Sequence, residues 1–126
     1  MVLCIYSLLY MPETTLEHVQ SQLRKGTLEY CILLIIARGK VYASEILSEL
    51  KAANLLVVEG TLYPLLSRLK SESFLEYTWA ESTSGPPRKY YTLTPAGRKN
   101  LALLHETWKS LTESINHLAT TYENNP

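Results

Sequence analysis

A mainly α chain carrying a small β-hairpin, an α+β fold, is what this sequence predicts. Three observations lead there. Apolar residues recur at helical spacing through most of the chain, the period falls from 3.6 to 2 only between Leu75 and Leu93, and a long heptad seam closes the sequence.

Met1 to Met11 is apolar, but no Lys or Arg precedes it and no small-residue cleavage site follows. That argues against a secretory signal, and the run is too short to span a bilayer, so no membrane partner is expected. Ordinary helix punctuation begins only at Met11-Pro12. Residues 1–12 are therefore read as a tail, either disordered or upstream of the functional start.

Thr14 followed by Glu17 makes a capping box, and Leu16, Val19 and Leu23 then recur at helical spacing until Arg24-Lys25-Gly26 closes a short amphipathic helix. A second helix begins near Thr27 and carries Leu28, Ile32, Ile35 and Ile36 to Arg38-Gly39. It is apolar over most of its surface and so belongs at the centre. A third holds Ile46, Leu47 and Leu50, starts with little marking near Tyr42 and ends around Asn54.

The pattern is sharpest between Glu59 and Ser73. Leu62, Leu65, Leu66 and Leu69 form one packed stripe, with Gly60, Pro64, Ser67 and Ser71 opposite. Thr61 and Arg68 occupy one flank, Tyr63 and Lys70 the other. Pro64 is tolerable because it lies in the opening turns. Beyond this helix Leu75, Tyr77 and Trp79 alternate with polar or small neighbours, and so do Tyr91 and Leu93, so two strands are expected. One of Tyr90 and Tyr91 must face the core. Ser82 to Pro87 is dense in turn residues, and Arg88-Lys89 gives the hairpin a basic root.

Thr94 as N-cap with Pro95 at the first helical position starts the last helix. Leu101, Leu104, Trp108, Leu111, Ile115, Leu118 and Tyr122 then follow at alternating steps of 3 and 4. Such a seam is the mark of a coiled-coil-like partner helix, and a span of about 42 Å at ~1.5 Å per residue exceeds what so small a domain can cover. The seam calls for a second chain, making a homodimer.

The domain division that follows is a tail at 1–12, a module at 13–94 with its N-terminal helix, a dimerisation helix at 95–122 and a tail at 123–126. Formal net charge is zero over 126 residues, yet Arg24 to Lys99 holds 11 basic residues against 7 Glu, leaving that module at +4 and the remainder at −4. A locally basic module flanked by acidic helices suits a polyanionic partner. Cys4 and Cys31 have no partner at metal or redox spacing, which fits a reducing cytoplasm. An enzyme is a poor reading. The chain has no Asp, the three histidines lack an acid and nucleophile at recognisable spacing, and glycine is too sparse for a phosphate-cradling loop. Metal binding fails likewise, since His105 and His117 fall on different faces of one helix; no cofactor is expected.

Helix, helix, helix and hairpin, in that order, is the arrangement of a winged helix-turn-helix, with the helix from Glu59 to Ser73 in the recognition position. Glu29-Tyr30-Cys31-Ile32-Leu33, the run Gly60 to Leu69, and Gly85 to Arg98 resemble the PadR family of transcriptional regulators. The resemblance spans roughly residues 24 to 120, and the single short C-terminal helix is similar to the compact subclass. One departure is Ser73, where the family usually has glycine before the first wing strand.

The resemblance implies a sequence-specific DNA-binding regulator, a dimeric repressor on a palindromic operator that a small effector or stress signal releases. Thr61, Tyr63, Ser67, Arg68 and Lys70 offer donors to phosphates and base edges, and Arg88 and Lys89 can follow the phosphates beside the wing. Trp108 keeps two readings. Periodicity makes it dimer core, whereas the resemblance makes it one wall of a cavity between subunits, with Leu16 and Val19, that stacks on planar aromatic molecules. The rival to DNA binding is a winged-helix adaptor that uses the same surface for protein partners.

Overall fold

The computed structural model describes residues 13–126. The segment Met1–Met11 and the Thr14 side chain of the expected capping box lie outside the described residues. In chain order the elements are α1 (Glu13–Ile36), β1 (Val41–Tyr42), α2 (Ala43–Ala52), α3 (Glu59–Ser71), β2 (Leu75–Ser82), β3 (Gly85–Leu93) and α4 (Pro95–Asn124).

Two expected helices are one. α1 runs unbroken through Gly26, and Thr27 lies within the helix instead of opening a new one: its hydroxyl donates to the carbonyls of Leu23 and Arg24 at 3.1 and 3.0 Å. A glycine inside a helix costs only about 1 kcal/mol, which the buried Leu28, Ile32, Leu33 and Ile36 beyond it outweigh. α2 follows a tight Gly39 turn at φ 139°. The Glu45 carboxylate accepts from the Tyr42 N–H at 3.3 Å, the start signal that the sequence hid, and Asn54 closes the helix in the left-handed region at φ 63°.

α3 follows its expected pattern, with Leu62, Leu66 and Leu69 fully buried and Leu65 packed beside them. Its C-terminus turns at Ser73, which sits at φ 66° in the left-handed region that favours glycine. The Phe74 N–H reaches the Leu69 carbonyl at 3.0 Å and the Ser73 N–H that of Lys70 at 2.9 Å, so the helix ends in a Schellman-type turn with serine in the glycine place.

The sheet has three strands in the order β1-β3-β2, all antiparallel. The two-residue β1 went unseen in sequence because it is too short to show a period. Leu75 pairs with Leu93, Tyr77 with Tyr91 and Trp79 with Lys89. The expected turn from Ser82 to Pro87 is shorter than foreseen, because β2 reaches Ser82 and β3 starts at Gly85. Pro86 and Pro87 are tolerated within β3 because β1 pairs only with Tyr90 and Tyr91, leaving that edge of the outer ribbon open, and the ladder is irregular between Ala80 and Ser82. Tyr91 is the core tyrosine, while Tyr90 lies edge-on to Tyr42 at 5.4 Å.

One core joins α1, α2, α3 and the sheet, and no buried side-chain nitrogen or oxygen among the described residues lacks a partner. Cys31 packs against this core half-buried, and burial pushes its thiol pKa up. Thr94 caps α4 by accepting from the Gly97 N–H at 2.9 Å, as expected, and its hydroxyl also donates to the Ser73 carbonyl at 2.6 Å. α4 continues two residues past the expected boundary at Tyr122, to Asn124.

Candidate nucleic-acid interface

α3 presents two flanks with different neighbours. On the wing side, Tyr63 is half-exposed, and the Lys70 ammonium lies 4.4 Å from the centre of the Tyr77 ring. The Lys89 ammonium lies 4.6 Å from the same ring and 5.3 Å from that of Trp79, so Tyr77 is shared between a cation from α3 and one from β3. The Arg88 guanidinium stands 4.6 Å over Tyr42. Such contacts hold cations in place while leaving their donors to water or to an anion.

Between the start of α2, the middle of α3 and the wing lies an open cleft of about 360 Å³, lined by Tyr42, Ser44, Tyr63, Trp79, Arg88 and Lys89 among others. Tyr91 forms its floor. Burial first, then the neighbouring Tyr63 and Tyr77 hydroxyls, raises the Tyr91 phenol above its ordinary pKa. Residues bearing hydroxyls and two cations around one concavity match the chemistry of a phosphodiester.

The other flank faces α1. Arg68, expected among the DNA-contacting cations, gives Nη1 to Glu72 at 2.9 Å and Nη2 to Glu29 at 3.1 Å. The hydrogen bond to Glu72 does most to raise its pKa, with Glu29 adding to it against the opposing effect of burial. Two carboxylates already neutralise this guanidinium, which ties α3 to α1. Thr61 lines a separate apolar groove of about 180 Å³ with Arg24, Lys25, Leu28 and Leu55–Val58. Ser67 is exposed on the outer surface of α3 between the two flanks.

Of the expected DNA-contacting residues, the structure therefore gathers Tyr63, Lys70, Arg88 and Lys89 on the wing side and sets Thr61 and Arg68 toward α1. Tyr42, Ser44 and Trp79 join the first group although sequence reasoning did not single them out. Tyr42 and Ser44 sit at a helix start whose N-cap residue, Tyr42, is not one of the usual capping types. Trp79 is brought in by the strand register, which sets it opposite Lys89 and which the sequence pattern leaves open.

The seam residues divide along α4. Leu101 and Leu104 pack against the core of their own chain, and Trp108 stacks on Tyr30 with ring centres 6.1 Å apart and planes 12° from parallel. Tyr30 also bonds His105 Nδ1 through its hydroxyl at 2.7 Å. Beyond them Leu111, Ile115, Leu118 and Tyr122 are between 44% and 70% exposed, as are Leu16, Val19 and Leu23 on α1 at 46–65%. Leu16 and Val19 precede Tyr30 by 14 and 11 residues, so they lie roughly 16–21 Å along the helix from the Trp108 stack in the same chain.

Among the described residues, no group of three or more His, Cys or Glu is placed to hold a metal, and no helix is long and apolar enough to cross a membrane.

A three-helix module with a three-stranded wing and a cation-bearing recognition flank defines a winged helix-turn-helix protein. The transcriptional regulator PadR-like family matches residues 32–103, more than half of the chain, and this protein belongs to that family. A PadR-like transcription factor from Bacteroides fragilis is 56% identical in its solved structure, with a TM-score of 0.68 over 80% of this chain and 98% of that one. A PadR-like transcriptional regulator from Bacillus cereus is 38% identical, with a TM-score of 0.71 over 78% of this chain and 96% of that one. The structure of Bacillus subtilis PadR in complex with operator DNA aligns at 27% identity and a TM-score of 0.55, over 60% of this chain and 44% of that longer one.

Proposed function

We infer that this chain is a cytoplasmic DNA-binding transcriptional repressor without enzymatic activity, working as a homodimer on a palindromic operator and released by a small-molecule effector or a stress signal. The observation that carries the reading is the wing-side surface, where Lys70, Arg88 and Lys89 stand beside the outer residues of α3. Tyr63, Ser67 and Lys70 are the base-edge and phosphate donors of α3, and Arg88 and Lys89 follow the backbone beside the wing. Thr61 and Arg68 contribute at the α1 edge, Arg68 mainly by fixing the pitch of α3 through Glu29, with Glu72 holding its side chain in place.

Dimerisation is supported by the exposed apolar residues of distal α4, which a lone chain leaves in water. The same helix places Leu101 and Leu104 at the root of the seam and Trp108 near its middle. Tyr30 covers one face of the Trp108 indole, and a planar aromatic effector would stack on the other, with Leu16 and Val19 of the second subunit completing the walls. Two-fold symmetry would set the recognition helices about 34 Å apart, one turn of DNA.

The test is binding of the purified protein to the DNA upstream of its own coding sequence across a salt series. Affinity should fall steeply with salt, and Lys89→Ala should make the slope of log affinity against log salt shallower by about one. Salt-insensitive association with a protein, and none with DNA, would point to an adaptor instead.

A further inference from the structure

Trp79 stands among the wing-side cations, but neither the fold nor the reading above gives its indole a role. Its indole is 63% exposed on the outer half of the wing, a costly place for so large an apolar surface unless something covers it. It is also held in place. Tyr77 meets it edge-on with ring centres 6.2 Å apart and planes at 89°, and the Lys89 ammonium sits 5.3 Å from its ring. Lys70, Tyr77, Lys89 and Trp79 thus form an alternating row of cations and rings that runs from the C-terminal half of α3 out along the wing.

The partner is indicated by charge. Three cations, Lys70, Arg88 and Lys89, border this aromatic surface, and Trp79 and Arg88 line the same cleft. A neutral or cationic apolar partner would have to bury those charges unpaired, whereas a sugar-phosphate backbone pairs them while offering apolar deoxyribose to the ring. With α3 in a major groove, the outer wing lies over the backbone flanking it.

Resting on the DNA-binding reading above, we propose that Trp79 is a DNA contact residue. Its indole packs on a deoxyribose at the edge of the minor groove, while Lys89, aligned between Tyr77 and Trp79, takes the adjoining phosphate. The contact is to shape and backbone, so it adds affinity on any duplex and favours sequences whose minor groove admits the ring.

The experiment uses the full chain and an end-labelled, mixed-sequence duplex of about 30 base pairs, long enough for two half-sites one turn apart. Anisotropy of the labelled duplex reports binding, and protein emission reports the indoles. Saturating duplex should quench the wild-type emission and shield it from acrylamide. Both changes should be lost in Trp79→Phe, whose remaining indole is Trp108. Trp79→Ala should weaken duplex binding by about tenfold with an unchanged salt slope, because no charge is lost, while Lys89→Ala flattens the slope. Circular dichroism should show Trp79→Ala as folded as wild type, since the residue is exposed. If the duplex binds with normal salt dependence while Trp79 emission is unaffected and Trp79→Ala stays within twofold, the Trp79 assignment is wrong and the DNA-binding reading stands. Absence of any salt-dependent duplex binding overturns both.

Discussion

Gly97 lies in the first turn of α4, buried against the backbone of the turn that ends α3. A Cβ built there would stand 2.9 Å from the Phe74 carbonyl carbon and closer still to its oxygen. Neither atom belongs to a side chain that can swing aside, so Gly97→Ala must push α4 and the turn apart by about an ångström. Two hydrogen bonds cross the same gap, from the Thr94 N–H to the Phe74 carbonyl at 3.1 Å and from the Thr94 hydroxyl to the Ser73 carbonyl at 2.6 Å. Losing both costs about 1 kcal/mol each, and overpacking adds roughly 1–3 kcal/mol. The gain in helix propensity on replacing glycine returns about 1 kcal/mol. The net destabilisation is therefore about 2–4 kcal/mol, or a fall in melting temperature of roughly 8–16 °C for a chain of this size.

Gly26→Ala is the built-in control. It is the same chemical change inside a helix, with nothing within 4 Å of the new methyl group, so it should raise stability by up to about 1 kcal/mol. Thermal melts followed by circular dichroism, at one fixed chain concentration because association shifts the midpoint, measure both variants. A Gly97→Ala midpoint within about 2 °C of wild type would refute the contact as described.

Ser73→Gly should stabilise the protein by roughly 0.5–1 kcal/mol, because it relieves a left-handed serine at φ 66° at the entropic cost of a glycine; Ser73→Val should do the reverse in the same melts. Replacing Ile115 and Leu118 together by Glu places charges on the exposed part of the seam, and sedimentation should then report monomers whose helical content per chain is unchanged; a persistent dimer would move the interface elsewhere. The Tyr91 phenol, raised by burial, contributes stability that is fully present below its unfolded pKa of about 10 and is lost as pH climbs through the higher folded value. Urea midpoints should therefore fall less steeply above about pH 10 in Tyr91→Phe than in wild type, with parallel behaviour from pH 7 to 9.

Where one physical signal dominated, the chain was legible. The Leu62-Leu66-Leu69 stripe and the Thr94-Pro95 start both stand where the periodicity and the capping chemistry put them. The helix boundary that the structure moves lies where two signals competed. Arg24-Lys25-Gly26 reads as a helix end, but glycine and basic residues only permit an ending. The buried stripe beyond Gly26, from Leu28 to Ile36, decides for continuation. Arg68 has the residue type and spacing of a DNA contact, but its use depends on Glu29, 39 residues away in sequence and brought near only by the packing of α1 on α3. For the same reason the grouping of Tyr42, Ser44 and Trp79 with Arg88 and Lys89 was hidden, since it arises from a two-residue strand and a register that the sequence pattern leaves open.

The join at Gly97 also has a mechanical consequence. α4 is a single stretch of 30 residues, about 45 Å long, and its first turn is clamped to the root of the wing with no side chain to cushion the contact. A rod fixed so closely at one end behaves as a lever. A tilt of about 5° at the root carries the far end through about 4 Å, close to the 3.4 Å step between stacked bases. In a dimer joined along the distal half of that rod, a few degrees of change in the crossing angle would move the two wings by about one base step relative to each other.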